Sequence, residues 1–280
     1  MISWWLLSKI CGDVVLSNMK KSIELEELKR IQLDMLVDID RFCRANNIRY
    51  SLAYGTLLGA IRHGGYIPWD DDIDVCMPRP DYERFISSYT GCQGRYKCYS
   101  TKTSPEYMLP FAKVSDERTV MRETLYENDE YGIYIDVFPV DAMGAKGQIF
   151  KSIWLNRFLN TQKAVLGHRS LKKDIVLALG KIVLYPISIS KVLSAMETVA
   201  TKYKFGDTPT CEVFCSSTVE REIVPTSYFL NYNDAIFEGM PFSVVKDFDS
   251  YLTVLYGDWR KEPPVEERVS THVFNAWWRE

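Results

Sequence analysis

The chain has 280 residues, 46% of them apolar and 25% charged, with a formal net charge of −3. This is the composition of an ordinary globular protein, long enough to bury a full core as one large domain or two small ones. The charge gives no reason to expect nucleic acid as a partner. The 7 cysteines include no CxxC pair and no histidines at zinc spacing, so reduced, buried thiols in a cytosolic protein are expected.

In chain order, Met1 to Ile10 is apolar and aromatic. It lacks a basic lead-in and is too short for a signal peptide or a membrane span. Trp4 and Trp5 suit either a membrane interface or a tail packed on the domain. Ser22 to Asn46 is predicted as a helix. Leu25, Leu28, Ile31, Met35, Ile39 and Phe42 form one apolar stripe, Ser22 is a candidate N-cap, and Glu24, Glu26 and Glu27 acidify the first turn.

Ile48 to Tyr54 reads as a strand ending at Gly55, and Thr56 to Arg62 as a short helix. Such a junction gathers backbone N–H groups at a helix N-terminus, a natural phosphate seat to which Thr56 adds a hydroxyl. Arg62 and His63 are candidate phosphate contacts, and Gly64-Gly65 allows close backbone approach. A lone loop histidine is equally well accounted for by a structural role. Pro68-Trp69 leads into the next strand, with Trp69 expected as a packing anchor.

The densest chemistry lies in Asp70-Asp71-Asp72-Ile73-Asp74-Val75. On a strand, Asp72 and Asp74 share one face while Ile73 and Val75 point into a core, and Asp70 joins them if the extended geometry reaches back. Carboxylates on one face repel unless a cation lies between them, and oxygen ligands without His or Cys favour Mg²⁺ or Mn²⁺. A calcium loop of the EF-hand kind also begins with alternating aspartates. Here, however, the sixth position is Val75 rather than glycine, the twelfth is Asp81 rather than Glu, and no helix leads in.

Asp81 to Tyr89 reads as a helix, and Gly91 to Arg122 as short strands, one at Tyr96 to Tyr99 and another at Tyr107 to Val114. Ile133 to Phe138 is a buried-strand pattern containing Asp136. A buried carboxylate must be met by a cation or a hydrogen-bond donor. Asp141, after Pro139, is expected to cap a turn. From Lys146 to Lys204 bases far outnumber acids and the apolar residues are dense and helical, as in Ile175 to Leu184 and Ile187 to Met196, with Lys181 and Pro186 arguing against a span. Such helices suit either an anionic membrane surface or packing over a catalytic core. Short strands follow at Cys211 to Ser216, Val224 to Tyr228, Ala235 to Phe237 and Phe242 to Val245, then a helix from Phe248 to Tyr256 stopped at Gly257.

The block GTLLGAIRHGGYIPWDDDIDVCMPRPDYERF, with Tyr131-Gly132-Ile133-Tyr134-Ile135-Asp136-Val137-Phe138-Pro139-Val140-Asp141 and the segment from Tyr251 through Tyr256-Gly257-Asp258-Trp259 to Pro264, closely resembles the LicD family, which is related to fukutin and fukutin-related protein. The resemblance spans roughly Leu25 to His272 with a divergent middle. It implies a nucleotidyltransferase-like fold of mixed α/β (α+β) class, and transfer of phosphocholine or a similar group from a CDP-activated donor, such as CDP-choline, to a glycan or lipid-linked glycan. It further implies Asp70, Asp72, Asp74 and Asp136 as metal ligands, Asp72, Asp74 and Asp136 as catalytic, and Gly55, Thr56, Arg62, His63 and Lys113 as donor-binding. Asp136 is then the third carboxylate, as ligand or as base. The tail, including Trp259, Arg268 and His272, would close near the site and touch acceptor. One departure is Gly55-Thr56 where the wider superfamily has Gly-Ser or Gly-Gly, which leaves open whether Asp70 or Asp72 pairs with Asp74.

The expected organisation is a tail over 1–20, a catalytic core over 21–145, a basic helical insert over 146–205 and the rest of the catalytic domain over 206–280. The expected location is cytoplasmic, with peripheral contact at the cytoplasmic membrane face. The rival readings are a true nucleotidyltransferase that releases pyrophosphate, and a calcium- or glycan-binding module.

Overall fold

The computed structural model describes residues 21–123, 131–166, 170–215, 222–269 and 274–280. The N-terminal apolar tail and His272 lie outside them. Helix α1 (Leu25–Ala45) buries Leu28, Ile31, Met35 and Ile39 of the stripe read from its spacing, with Leu36 beside them, against the main sheet; Leu25 is exposed and Phe42 half-buried. Its N-cap is Glu24 rather than Ser22. Ser22 instead bridges Trp277, and the Ile23 N–H donates to the Ala276 carbonyl, so the residues before the helix are held as an extended segment.

The fold is mixed α and β. The main sheet runs β1 (Ser51–Leu52), β2 (Asp74–Pro78), β6 (Tyr134–Met143), β4 (Ala112–Asp116), β3 (Tyr96–Tyr99), with β7 (Thr210–Glu212) and β8 (Val224–Pro225) extending it beside the far half of β6. Among the described residues of this sheet only β2 and β6 pair in parallel; the other pairings are antiparallel. Helices α2 (Tyr54–His63) and α3 (Arg79–Ser88) flank β2. Pro80 in the first turn of α3 gives up an N–H that a helix start leaves unpaired.

The expected turn at Asp141 is a continuation of β6. Pro139 falls where β6 passes from its β4 partner to its β7 partner, so its missing N–H costs no ladder bond on that edge. Asp141 is fully buried and takes Arg79 in a two-pronged ion pair, Nε to Oδ1 and Nη2 to Oδ2, both 2.6 Å.

Two ribbons complete the β structure. β5 (Thr119–Glu123) pairs with β11 (Phe274–Trp278), and β9 (Tyr232–Phe237) with β10 (Met240–Val245). The second turns at Glu238-Gly239, both at positive φ (49° and 77°), the tight turn that matches strand twist. The basic stretch forms α4 (Lys146–Lys163), α5 (Leu171–Leu184) and α6 (Ile189–Ala200). Leu159 of α4 and Val192, Leu193 and Met196 of α6 make a small core of their own. Helix α7 (Phe248–Tyr256) ends at Gly257 with φ 69°, as the sequence indicated.

Candidate active site at the acid cluster of strands β2 and β6

The predicted strand from Ile48 to Tyr54 is regular only at Ser51–Leu52, and the chain turns into α2 at Tyr54. Tyr54 has φ 45°, a costly conformation for a bulky residue. It is held there by its hydroxyl donating to Glu222 at 2.8 Å and by edge-on contact of its ring with Phe138. Gly55 therefore lies inside the first turn of α2. Its missing side chain has a use: a Cβ there would collide with the Asp70 carboxylate. Thr56 is buried, and its Oγ1 accepts the Asp74 backbone N–H at 2.8 Å. The hydroxyl thus fastens the helix start to the head of the carboxylate strand.

The ladder begins at Asp74, so Asp70 to Ile73 are not hydrogen-bonded strand. The alternation nevertheless reaches back: Asp71, Ile73 and Val75 are buried, whereas Asp70, Asp72 and Asp74 are partly open. The Ile73 carbonyl accepts the Asp136 N–H at 3.1 Å, and Asp74 lies in parallel register with Asp136. On the other side of β6, Lys113 is the antiparallel partner of Asp136, and its Nζ reaches Oδ1 at 2.7 Å. Lys113 is itself buried, with Nζ 3.1 Å from the centroid of the Tyr134 ring. Asp136 is half-buried, and the cation expected to meet it is supplied by the neighbouring strand.

The local field is strongly negative. Asp74 is pushed well above the ordinary carboxylate range, first by burial, then by Asp72, Asp136 and Asp70, with Lys113 pulling the other way. Ligand atoms of Asp70, Asp71 and Asp72 lie within 4.8 Å of one another. Asp71, buried on the Ile73 side of the alternation, was not singled out in the sequence. An all-oxygen donor set, beside a carboxyl whose charge its neighbours oppose, fits a hard divalent cation.

Tyr256, at the end of α7, also borders the cluster. The residue is 44% exposed, and its hydroxyl is raised by partial desolvation and then by Asp74, Asp70, Glu222 and Asp72. The only sequence signal for it was the resemblance of the segment around Tyr256-Gly257-Asp258-Trp259. Glu222, buried against Tyr54, had no signal at all.

Arg62 and His63 stand at the other end of α2, roughly 10 Å along the axis from Gly55. Arg62 donates to the carbonyls of Trp259 (2.9 Å) and Lys261 (3.3 Å) and to His63 Nε2 (3.0 Å). Burial and the adjacent Arg62 lower the His63 pKa, favouring the neutral ring. Arg268 lies over Trp69, which meets His63 edge-on. The structure therefore brings Gly55, Thr56, Asp70, Asp72, Asp74, Lys113 and Asp136 together, and assigns Arg62, His63, Trp69 and Arg268 to an adjoining seam with the C-terminal tail. The Gly64-Gly65 corner receives the β9–β10 turn, where the Glu238 N–H donates to the Gly64 carbonyl and a Cβ at Gly65 would strike Glu238.

Residues 47–168 match the family described as LicD/FKTN/FKRP, nucleotidyltransferase domain. Along 92% of its length the chain is 28% identical to the lipopolysaccharide cholinephosphotransferase LicD of Haemophilus influenzae, covering 99% of that protein. An uncharacterized protein of Rickettsia typhi is 41% identical over 66 residues and one of Rickettsia prowazekii 40% over 62, each covered over 21% of its length.

Proposed function

From the match of residues 47–168 to the LicD/FKTN/FKRP nucleotidyltransferase domain, we propose a metal-dependent phosphotransferase that moves phosphocholine from CDP-choline to a hydroxyl of a glycan or its lipid-linked precursor. The observation that carries this reading is the register of Asp74, Asp136 and Lys113 across three adjacent strands, with Asp70 and Asp72 in the segment that leads into Asp74. Similarity to a cholinephosphotransferase along 92% of the chain supports the choice of group.

In this reading Asp70, Asp72 and Asp74 hold Mg²⁺ or Mn²⁺, with Asp71 available beside them. The ion would offset charge on the donor pyrophosphate and on the departing CMP. Asp136 is the base for the acceptor hydroxyl, aimed by its contact with the Lys113 ammonium. The acceptor oxygen attacks the distal phosphorus, the bond from that phosphorus to the bridging oxygen breaks, CMP leaves, and the hydroxyl proton passes to Asp136. Gly55 leaves the first turn of α2 open to the site, Thr56 fixes its distance from Asp74, and the seam of Arg62 and His63 flanks the donor. A cytoplasmic location goes with this reading, since CDP-activated donors are cytoplasmic metabolites and the six described cysteines are free thiols.

The test is a thermal-shift titration with CDP-choline, CDP-ribitol, CDP-glycerol, CTP and CMP, each with and without Mg²⁺, on the wild type and Asp74→Asn. Ligand held by the native state raises the melting temperature. A Mg²⁺-dependent rise with CDP-choline, absent in Asp74→Asn, is expected. No rise with any CDP conjugate in a folded protein counts against the reading.

A further inference from the structure

Helix α5 is built inside out. Its side chains Leu171, Val176, Leu179, Ile182 and Val183 are between 59% and 76% exposed, and the helix buries no residue at all. The spacing 171, 175, 176, 179, 182, 183 covers one continuous face of a 3.6-residue helix. The charged Asp174 and Lys181 fall on the opposite, half-buried side, and Lys172 in the first turn is the one charge set within the apolar face. An amphipathic helix of a water-soluble surface shows the reverse arrangement.

The apolar face does not stop at the edge of α5. Gly180 packs against Thr161 of α4, and Phe150, Trp154 and Thr161 share one side of α4 by spacing. Phe150 and Trp154 are 65% and 57% exposed. Tyr185, just beyond α5, is 87% exposed. A patch of this extent marks an interaction surface.

Charge identifies what covers it. Residues 146–204 hold 11 Lys and Arg against 2 acids, in a chain that carries 34 against 37 overall. Lys151, Arg157, Lys172, Lys173 and Lys191 are exposed around the patch. Of the acids, Glu197 is engaged by Arg79 and Lys102. An apolar face rimmed by bases is complementary to an anionic lipid surface. A second copy of the chain suits it poorly, because a two-fold contact would set the same lysines against one another.

The helix is placed to lie on a bilayer rather than to cross it. At 14 residues it is about 21 Å long, short of a hydrocarbon core of about 30 Å. No single described helix is long and apolar enough to cross, and α6, bent by 84° from α5, spends its apolar side on the small core with α4. We infer that the outer face of α5, with Phe150 and Trp154 of α4, is a docking surface for the anionic face of a lipid bilayer.

Co-sedimentation with vesicles tests this on the full chain, without donor or acceptor, so its outcome is independent of the transferase reading. Vesicles of phosphatidylcholine alone are compared with vesicles containing phosphatidylglycerol. The wild type is expected to bind the anionic vesicles and to be released by high salt. Leu179→Glu/Ile182→Glu is expected to bind about tenfold less with an unchanged melting temperature, because those side chains touch no core. Lys172→Glu/Lys173→Glu is expected to lose the preference for anionic lipid. Wild type that stays in solution with both vesicles overturns the inference. So does equal binding by Leu179→Glu/Ile182→Glu, or a wild-type dimer in sedimentation that this variant converts to monomer.

Discussion

Lys113 and Asp136 face each other across the β4–β6 ladder at 2.7 Å, and both are largely shielded from water. Removing one charge of such a pair leaves the other poorly compensated, which costs far more than the pair contributes. Lys113→Met should therefore lose about 3 kcal/mol in urea unfolding as well as transfer activity. Lys113→Met/Asp136→Asn should recover most of the stability and none of the activity, which separates the structural from the chemical part of the pair. Glu212 is a different case. It is buried with neither carboxylate oxygen hydrogen-bonded, and burial, then Glu222 and Asp141, pushes its pKa from 4.5 to about 8. A carboxyl raised on folding binds more protons in the native state than in the unfolded one, so its contribution is fully present below pH 4.5 and is lost as pH rises towards 8. Glu212→Gln should flatten that stretch of the stability-versus-pH curve, on the order of a few kcal/mol between its ends, as measured by chemical denaturation across the range.

The α2–β2 junction is the element on which the site depends, and it was only partly legible in the sequence. Spacing indicated a short helix near Gly55 and a strand bearing alternate aspartates. It did not indicate that the helix would begin at Tyr54, two residues before Thr56, because the contacts that hold Tyr54 come from Phe138 and Glu222, more than 80 and 160 residues away in the chain. Nor could periodicity show that Gly55 makes room for Asp70. Gly55→Ala tests that point. Alanine favours helix by up to about 1 kcal/mol, so the melting temperature should change little, whereas the displaced Asp70 should lower kcat at least tenfold. Strand β6 was read too short because Pro139 is ordinarily a strand-breaker; that its missing N–H falls between two partner strands is a property of the sheet. Helix α7 was legible to the residue because it packs one apolar stripe and stops at a glycine, and α1 was legible except at its start, where Ser22 and Ile23 pair with the last strand instead.

At the scale of the whole molecule the chain divides by charge: bases concentrate in α4 to α6, acids elsewhere. The acid cluster itself was legible, since four aspartates in five positions repel one another strongly enough to require a cation or a proton among them. Lys113 and Tyr256 were signalled only by the resemblance, and neither the pairing of Lys113 with Asp136 nor Glu222 was legible, because these contacts arise through tertiary packing alone. The central claim is that this cluster serves attack on the distal phosphate of a CDP-linked donor. The most direct test is phosphorus NMR of the products formed by wild type and Asp136→Asn from CDP-choline, Mg²⁺ and a lipopolysaccharide acceptor. Wild type should yield CMP and a choline phosphodiester in equal amounts, and Asp136→Asn neither. Inertness towards CDP-choline, together with pyrophosphate release from CTP, would contradict the claim and assign the site to nucleotidyl transfer.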